Sequence, residues 1–475
     1  MLSILKNRKL LYIIVGYLPL SISLIFTPIY THFLSVKDYG FLNLFNTLIG
    51  IIAPLLHLGI KDGFGFLYWK HDQNGGVKTL FNKTLGSMII LQLFTILSVL
   101  FFGKYIFGQY FLFLQDDAYK GFLFILIFYA FFLNLNDVFF YFFRNGDKLK
   151  EFVILNLMST VLMTVGSVLG IVVFHLGIEG AIYGRAIGYI LVVLFFVIKY
   201  AKGISLDLKF SKTIWMAGLP IILSAVLGSY ASNMDKYFLQ KHFDLSAMGV
   251  YGIALTIIYV VDVLLISVFH FLLPDTLKKI RDNVSHLQIT ESIKEVYVVF
   301  VLFVLAVLGI APFFIKIFPV EYNAALLYLP FLAINPIIKF WFTFNTLNFY
   351  LFNKSTVFLK LQAVVFVLTL ISLQFIPVNM GIYGAVLIII LNSLFQLLVS
   401  YVFLIREHYF ILNDLKLIGM SACLLILCIS LGVLYAINTD YKFYLIMVAL
   451  SALILVAFER KSLIALKIKI AKTLN

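Results

Sequence analysis

Stretches such as "GAVLIIILNSLFQLLVSYVFLI" and "VYVVFVLFVLAVLGIAPFFI" recur along this chain, separated by short polar breaks, and they decide what it can fold into. The runs are about 20 residues long and show no period-two alternation, which suits helices that cross the hydrocarbon core. Barrel strands would be about half that length and would alternate apolar with polar residues. Only 12% of the 475 residues are charged and 63% are hydrophobic, whereas a soluble domain carries about 25% charged residues. Too little polar matter is available to face water on every side. The expected class is an all-α polytopic membrane protein.

Reading the runs between charged or Gly/Asn-rich breaks predicts about 14 helices. The first six are 10–33, 40–60 (with an extension toward Trp69), 84–103, 121–143, 151–175 and 181–200. The next six are 213–237, 248–272, 295–317, 325–351, 357–377 and 382–405, followed by a final pair at 415–437 and 441–458. The basic N-terminal run is too long for a signal-peptide core of about 7–15 residues and shows no small-residue cleavage site, so it is read as a retained first span. A net charge of +14 would suggest nucleic acid in a soluble protein, where phosphate binding needs clustered Lys and Arg. Here the basic residues are spread over short connections, and no nucleic-acid partner is expected. With the N-terminus inside, about 27 basic residues fall on inner connections and ends and about seven on outer ones, the bias that sets orientation in membranes. An even span count then places both termini in the cytoplasm.

Three fragment pairs match across the halves. "GYLPLSIS" resembles "AGLPIILS", "LSVKDYGFLNL" resembles "LSAMGVYGIAL", and "GAIYG" resembles "GIYGA". The offset is roughly six spans, an even number, so the halves enter the membrane in the same direction as parallel repeats. The expected domains are a six-helix bundle at 1–201, a cytoplasmic linker at 202–212, a second six-helix bundle at 213–405, and two extra helices with a basic tail at 406–475. Two bundles facing across a cleft would suit alternating access. Pro19, Pro28 and Pro220 lie in the opening spans of the halves, where a missing N–H bends a helix. These bends are expected to line the cleft.

Few polar groups remain to carry chemistry. Cys423 and Cys428 share one apolar run, fall on different helix faces and have no His or acid nearby, so they read as structural thiols and no metal site is expected. His57, His175 and His270 lie singly on apolar faces and read as packing residues. Charges inside or beside the spans are the exception, because one at the bilayer centre costs about 2.5–3.5 kcal/mol and should face a partner or water. They are Lys61-Asp62, Asp137 in "NLND", Arg185, Asp235-Lys236, Asp262 and Lys339.

Two longer stretches carry a resemblance. "TPIYTHFLSVKDYGFLNLFNTLIGIIAPLLHLGIKDGFGFLYW" resembles the opening of Wzx-type polysaccharide flippases, which handle O-antigen or capsule repeat units within the multidrug/oligosaccharidyl-lipid/polysaccharide exporter (MOP) superfamily. "GLPIILSAVLGSYASNMDKYFLQKHFDLSAMGVYGIA" is similar to that family's seventh span and the turn after it. The resemblance implies a 12- or 14-span protein of the bacterial inner membrane that flips undecaprenyl-pyrophosphate-linked oligosaccharide outward. It implies alternating access through a cationic cavity, no cofactor, and coupling to an ion gradient of H+ or Na+. Polysaccharide polymerase and chain-length proteins would be its partners beside the lipid-linked sugar and the bilayer. The family often has basic residues after "PIYT" and near Phe66, where this chain has His32 and "FGFLYW". Pyrophosphate binding is therefore assigned to Lys61, Lys236, Lys339 and Arg185, and ion coupling or gating to Asp62, Asp137, Asp235 and Asp262.

Two other readings stay open on sequence alone. A multidrug antiporter of the same superfamily would favour an acidic cavity for organic cations, and this chain offers both signs. A membrane glycosyltransferase or polymerase would need a catalytic acid on an outer loop, for which Asp38 and Asp116-Asp117 are available. Short outer loops argue against the enzyme, so no catalytic residues are assigned.

Overall fold

Ser35 starts the first helix that is described in full. Its Oγ accepts the Asp38 backbone N–H at 3.1 Å and donates to Asp38 Oδ2 at 2.7 Å. A carboxylate in the first turn also meets the positive end of the helix dipole. Asp38, a candidate acid in the enzyme reading, is thus engaged in starting α1, Val36–His57. The computed structural model describes residues 24–72, 76–107, 116–201, 203–205, 207–281, 286–346, 355–406, 415–437 and 441–459, with residues 15 and 22. Pro19 and most of the expected 10–33 span before residue 24 lie outside the described residues. Residues 24–33 are helical.

After α1 come α2 (Ile60–Asp72), α3 (Val77–Phe107), α4 (Asp116–Asn145), α5 (Leu149–Val168, continued by a π turn at Leu169–Val173) and α6 (Gly177–Tyr200). Then follow α7 (Leu208–Ser232), α8 (Met234–His242), α9 (Leu245–Arg281), α10 (His286–Phe314), α11 (Ala325–Leu332) and α12 (Ile334–Asn345). The last four are α13 (Ser355–Leu373), α14 (Ile382–Arg406), α15 (Leu415–Ile437) and α16 (Tyr441–Phe458). Among the described residues, 12 helical segments are long and apolar enough to cross a membrane, and Tyr444–Val456 is a shorter apolar helix. The chain is a polytopic all-α membrane protein.

Three expected spans end or break earlier than hydropathy suggests. The run from 40 toward Trp69 is broken at Leu58–Gly59, where both residues have positive φ. The helix expected over 213–237 stops at Ser232, because Asn233 (φ −115, ψ 11) leaves helical geometry before α8 begins. The 325–351 run is split at Ala333 into α11 and α12. Pro336 is the third residue of α12, where its missing N–H costs no helical bond.

The helices form two compact units. One contains Ile25–Met248 with Phe358–Leu370, the other Gly249–Val357 with Ile371–Asn475. α7 and α8 thus fall in with the helices that precede the 202–212 connection. In the first unit α5 and α6 approach closely. A Cβ on Gly184 would lie 2.1 Å from the Gly166 carbonyl oxygen, and one on Gly170 would lie 2.3 Å from that of Gly180. Small residues one turn apart let backbones meet without a hydrophobic driving force, which lipid does not supply. An aromatic cluster of Phe81, Phe139, Phe142, Phe143 and Phe196 fills the space beside them, with Phe81 stacked on Phe142 at 4.1 Å. In the second unit, Ser393 of α14 donates to Asn335 of α12, and Trp341 donates to Ser421 of α15 at 2.9 Å.

Candidate functional site

The break between α1 and α2 is built by satisfying carbonyls that its own helix cannot. Pro54 has no N–H, so the Gly50 carbonyl loses its helical donor. Ser229 Oγ, from α7, donates to that oxygen at 3.0 Å. Four residues later the helix stops in a left-handed cap, with Leu58 at φ 42 and its N–H returned to the Pro54 carbonyl at 3.2 Å. Asn134 Nδ2 adds a donor to the Ala53 carbonyl at 2.8 Å, and the Thr95 hydroxyl lies 3.0 Å from the Leu56 carbonyl and as close to those of Leu91 and Gln92 in its own helix. Irregular backbone at membrane depth is tolerated where protein supplies such partners, and broken helices of this kind build sites in transporters.

Gly59 follows at φ 87, and α2 opens with Ile60-Lys61-Asp62. Lys61 Nζ donates to Asp137 Oδ2 on α4 at 2.8 Å, and the two side chains are 17% and 34% exposed. Asp62 sits in the first turn of α2, where the helix dipole favours its charge. Its Oδ2 lies 3.8 Å from His57 Nδ1. That nitrogen accepts the Gly59 N–H at 3.1 Å, so its lone pair is already used in holding the break. His57 is therefore a packing and capping group, as its apolar setting suggests.

The second unit holds a counterpart. Lys339 Nζ on α12 donates to Asp262 Oδ2 on α9 at 3.1 Å, with 32% and 13% exposure. Both bridges join different helices, and their partners are 76 and 77 residues apart in the chain. The order is reversed, lysine first in one unit and aspartate first in the other.

The remaining candidates are placed apart from these bridges. Arg185 on α6 donates to Asn46 Oδ1 at 3.2 Å, and its guanidinium stands 5.3 Å from the Tyr30 ring centroid. It is thus held by neutral groups on α1 and in the preceding helical stretch. Asp235 is buried, 1% exposed, in the first turn of α8, and Lys236 donates to Asn233 Oδ1 at 2.8 Å. This pair lies just past the apolar Lys212–Ser232 segment, at the junction of α7 and α8. Pro28 and Pro220 are within helical stretches. His32, where a basic residue was expected by resemblance, donates from Nδ1 to the Pro28 carbonyl at 2.8 Å. Among the described residues no group of three His, Cys, Asp or Glu could hold a metal ion.

Sequence reading singled out the charges but missed Ser229, Thr95 and the capping role of His57. A proline inside an apolar run signals that an unserved carbonyl exists. It does not say which distant hydroxyl serves it.

No protein-family model and no curated protein matches the sequence. Solved structures do share its fold. A lipid II flippase, MurJ, in an inward closed conformation superposes over 95% of this chain and 99% of its own, with a TM-score of 0.69 at 14% identity. An outward-facing multidrug resistance MATE family transporter of the MOP superfamily covers 84% of this chain and 96% of its own, with a TM-score of 0.60 at 16% identity. An inward-facing MATE structure covers 89% and 95%, with a TM-score of 0.57 at 15% identity.

Proposed function

We propose that this chain is a flippase that moves a polyprenyl-pyrophosphate-linked oligosaccharide across the bacterial inner membrane by alternating access, driven by an H+ or Na+ gradient. The observation that carries this reading is the lysine–aspartate bridge between helices in each compact unit. A lysine at that depth needs a counter-charge. Pyrophosphate oxygens can replace the aspartate on Lys61 or Lys339, and the released carboxylate then takes up a proton or cation. Substrate loading and ion binding are thereby linked through one exchange. Arg185, held by neutral partners, supplies a third cation without first breaking an ion pair. In this reading Asp235 and Lys236 at the α7–α8 junction, and Asp62 at the α1–α2 break, bias the motion of those helices. Both termini are cytoplasmic in this reading.

Transport is favoured over catalysis by the fold, since the solved neighbours are a lipid flippase and drug transporters. A second reading, an organic-cation antiporter, is favoured by one feature. The cluster at the α1–α2 break counts two carboxylates, Asp62 and Asp137, against one lysine. Reconstituted protein distinguishes the two. In proteoliposomes the wild type should flip a fluorescent polyprenyl-pyrophosphate oligosaccharide, Lys339→Ala should abolish flipping, and Lys339→Arg should keep part of it, because charge is retained with altered hydrogen-bond geometry. Uptake of a fluorescent organic cation with no flipping of the lipid-linked sugar would select the antiporter. Full flipping by the Lys61→Ala, Lys339→Ala double variant would remove both lysines from the site.

A further inference from the structure

Three connections that the charge pattern assigns to one side of the membrane meet in a cavity of about 750 Å³, a size usual for small-ligand sites. It is framed by the start of α3, the turn from α4 to α5 and the end of α6. Lys78, Lys148 and Lys199 contribute ammonium groups, and Tyr68, Phe142 and Tyr200 contribute ring surface. Lys148 Nζ stands 4.2 Å from the Phe142 ring centroid and Lys199 Nζ stands 5.2 Å from that of Tyr200. Ring faces hold a cation in place without neutralising it. Nearby Lys83 differs, being spent on Asp207 at 2.9 Å. Asp147, exposed on the rim with φ 48, is the carboxylate that faces the cavity, so the lining keeps an excess of two positive charges.

The location adds a second argument. Lys148 follows the C-terminal end of the Gly121–Asn145 span and Lys199 sits at the end of Gly177–Tyr200. These are the depths at which lipid phosphates lie, and basic pockets between helix ends bind anionic headgroups. We propose that the cavity framed by Lys78, Lys148 and Lys199 binds a phosphate ester, supplied by an anionic phospholipid headgroup or by a soluble phosphate compound. This site is built from helix ends and a turn whose residues the transport reading does not use, and it stands independently of that reading.

The test uses the full chain exchanged into phosphatidylcholine micelles and titrated with phosphatidylglycerol, with bound lipid counted by native mass spectrometry. The wild type should retain phosphatidylglycerol over phosphatidylcholine, and K148Q and K199Q should each weaken retention roughly five-fold. Lys150→Gln, which removes a lysine outside the cavity, should bind as the wild type does, and the K148R/K199R double variant should restore binding. The restoring variant keeps the test valid if a glutamine variant folds poorly. Displacement of the lipid from wild type by millimolar glycerol 3-phosphate would identify a soluble ester as the source, and resistance to it would identify the lipid. Equal retention by wild type and the K148Q/K199Q double variant, or equal retention of both lipids by wild type, would overturn the proposal.

Discussion

Gly50 carries a carbonyl that no residue of its own helix can serve, and the same is true of Leu308, four residues before Pro312. The solutions are alike in kind. Ser229 donates to the first at 3.0 Å and Tyr444 to the second at 3.2 Å, each from a helix distant in sequence. The Leu308 acceptor is buried, and leaving it without its donor would cost about 1–3 kcal/mol, whereas the Ser229–Gly50 bond is exposed in the protein and is worth the ordinary net contribution of about 0.5–1.5 kcal/mol. Ser229→Ala should therefore lower the thermal unfolding midpoint of the detergent-solubilised protein, while Ser229→Thr, which keeps a hydroxyl, should stay closer to wild type. An Ala variant that melts with the wild type would mean that the Gly50 carbonyl needs no such donor. At this scale the chain announces the need, through the proline, and hides the answer.

The α1–α2 break shows what a few glycines decide for whole helices. Gly59 holds φ 87, a conformation that favours glycine. On the facing helix α7, a Cβ on Gly218 would lie 1.8 Å from the Gly59 carbonyl oxygen, and one on Gly63 would lie 2.0 Å from that of Ile214. The two backbones are in contact, and any side chain there must part them. Forcing extra atoms into such a seam costs about 1–3 kcal/mol, enough to shift a two-state balance toward a conformation with the seam open. A cysteine placed at Ile222, buried beside Gly59, should react slowly with a thiol reagent in an otherwise wild-type seam. Adding Gly218→Val should speed that reaction several-fold. Equal rates in both backgrounds would show that the seam does not open. The sequence displayed a long apolar run interrupted by Lys61-Asp62, and the charges drew attention to the right place. The break itself falls two residues earlier, at a Leu-Gly step that looks unremarkable in an apolar run.

For the molecule as a whole, the arrangement of charges about the membrane makes a prediction that needs no ligand. Lys78, Lys148 and Lys199 share one cavity, so the three connections that carry them end on one side. The excess of basic residues on that side is expected to make it cytoplasmic. In a background with Cys423 and Cys428 replaced, a cysteine at exposed His175, on the connection from α5 to α6, should react with an impermeant reagent in intact cells. A cysteine at exposed Asp147 should react only after permeabilisation. Labelling of the Asp147 position in intact cells would reverse the orientation.

Hydropathy, span length and loop charge are sums over neighbouring residues, and they were enough to settle a polytopic helical membrane protein and the approximate bounds of 12 of its roughly 14 expected spans, the first lying mostly outside the described residues and the last appearing as the shorter apolar helix Tyr444–Val456. They also marked Lys61, Asp137, Asp262 and Lys339 as costly and in need of partners. Which charge meets which could not be read in this way. Successive helix residues turn by about 100°, and each break, at Leu58–Gly59 or Asn233, resets that rotation for everything after it. A bridge across 76 or 77 residues therefore depends on the accumulated geometry of several helices and turns. Only the tertiary structure fixes that sum, and with it the choice of Asp137 for Lys61, Asp262 for Lys339, and the neutral Asn46 for Arg185.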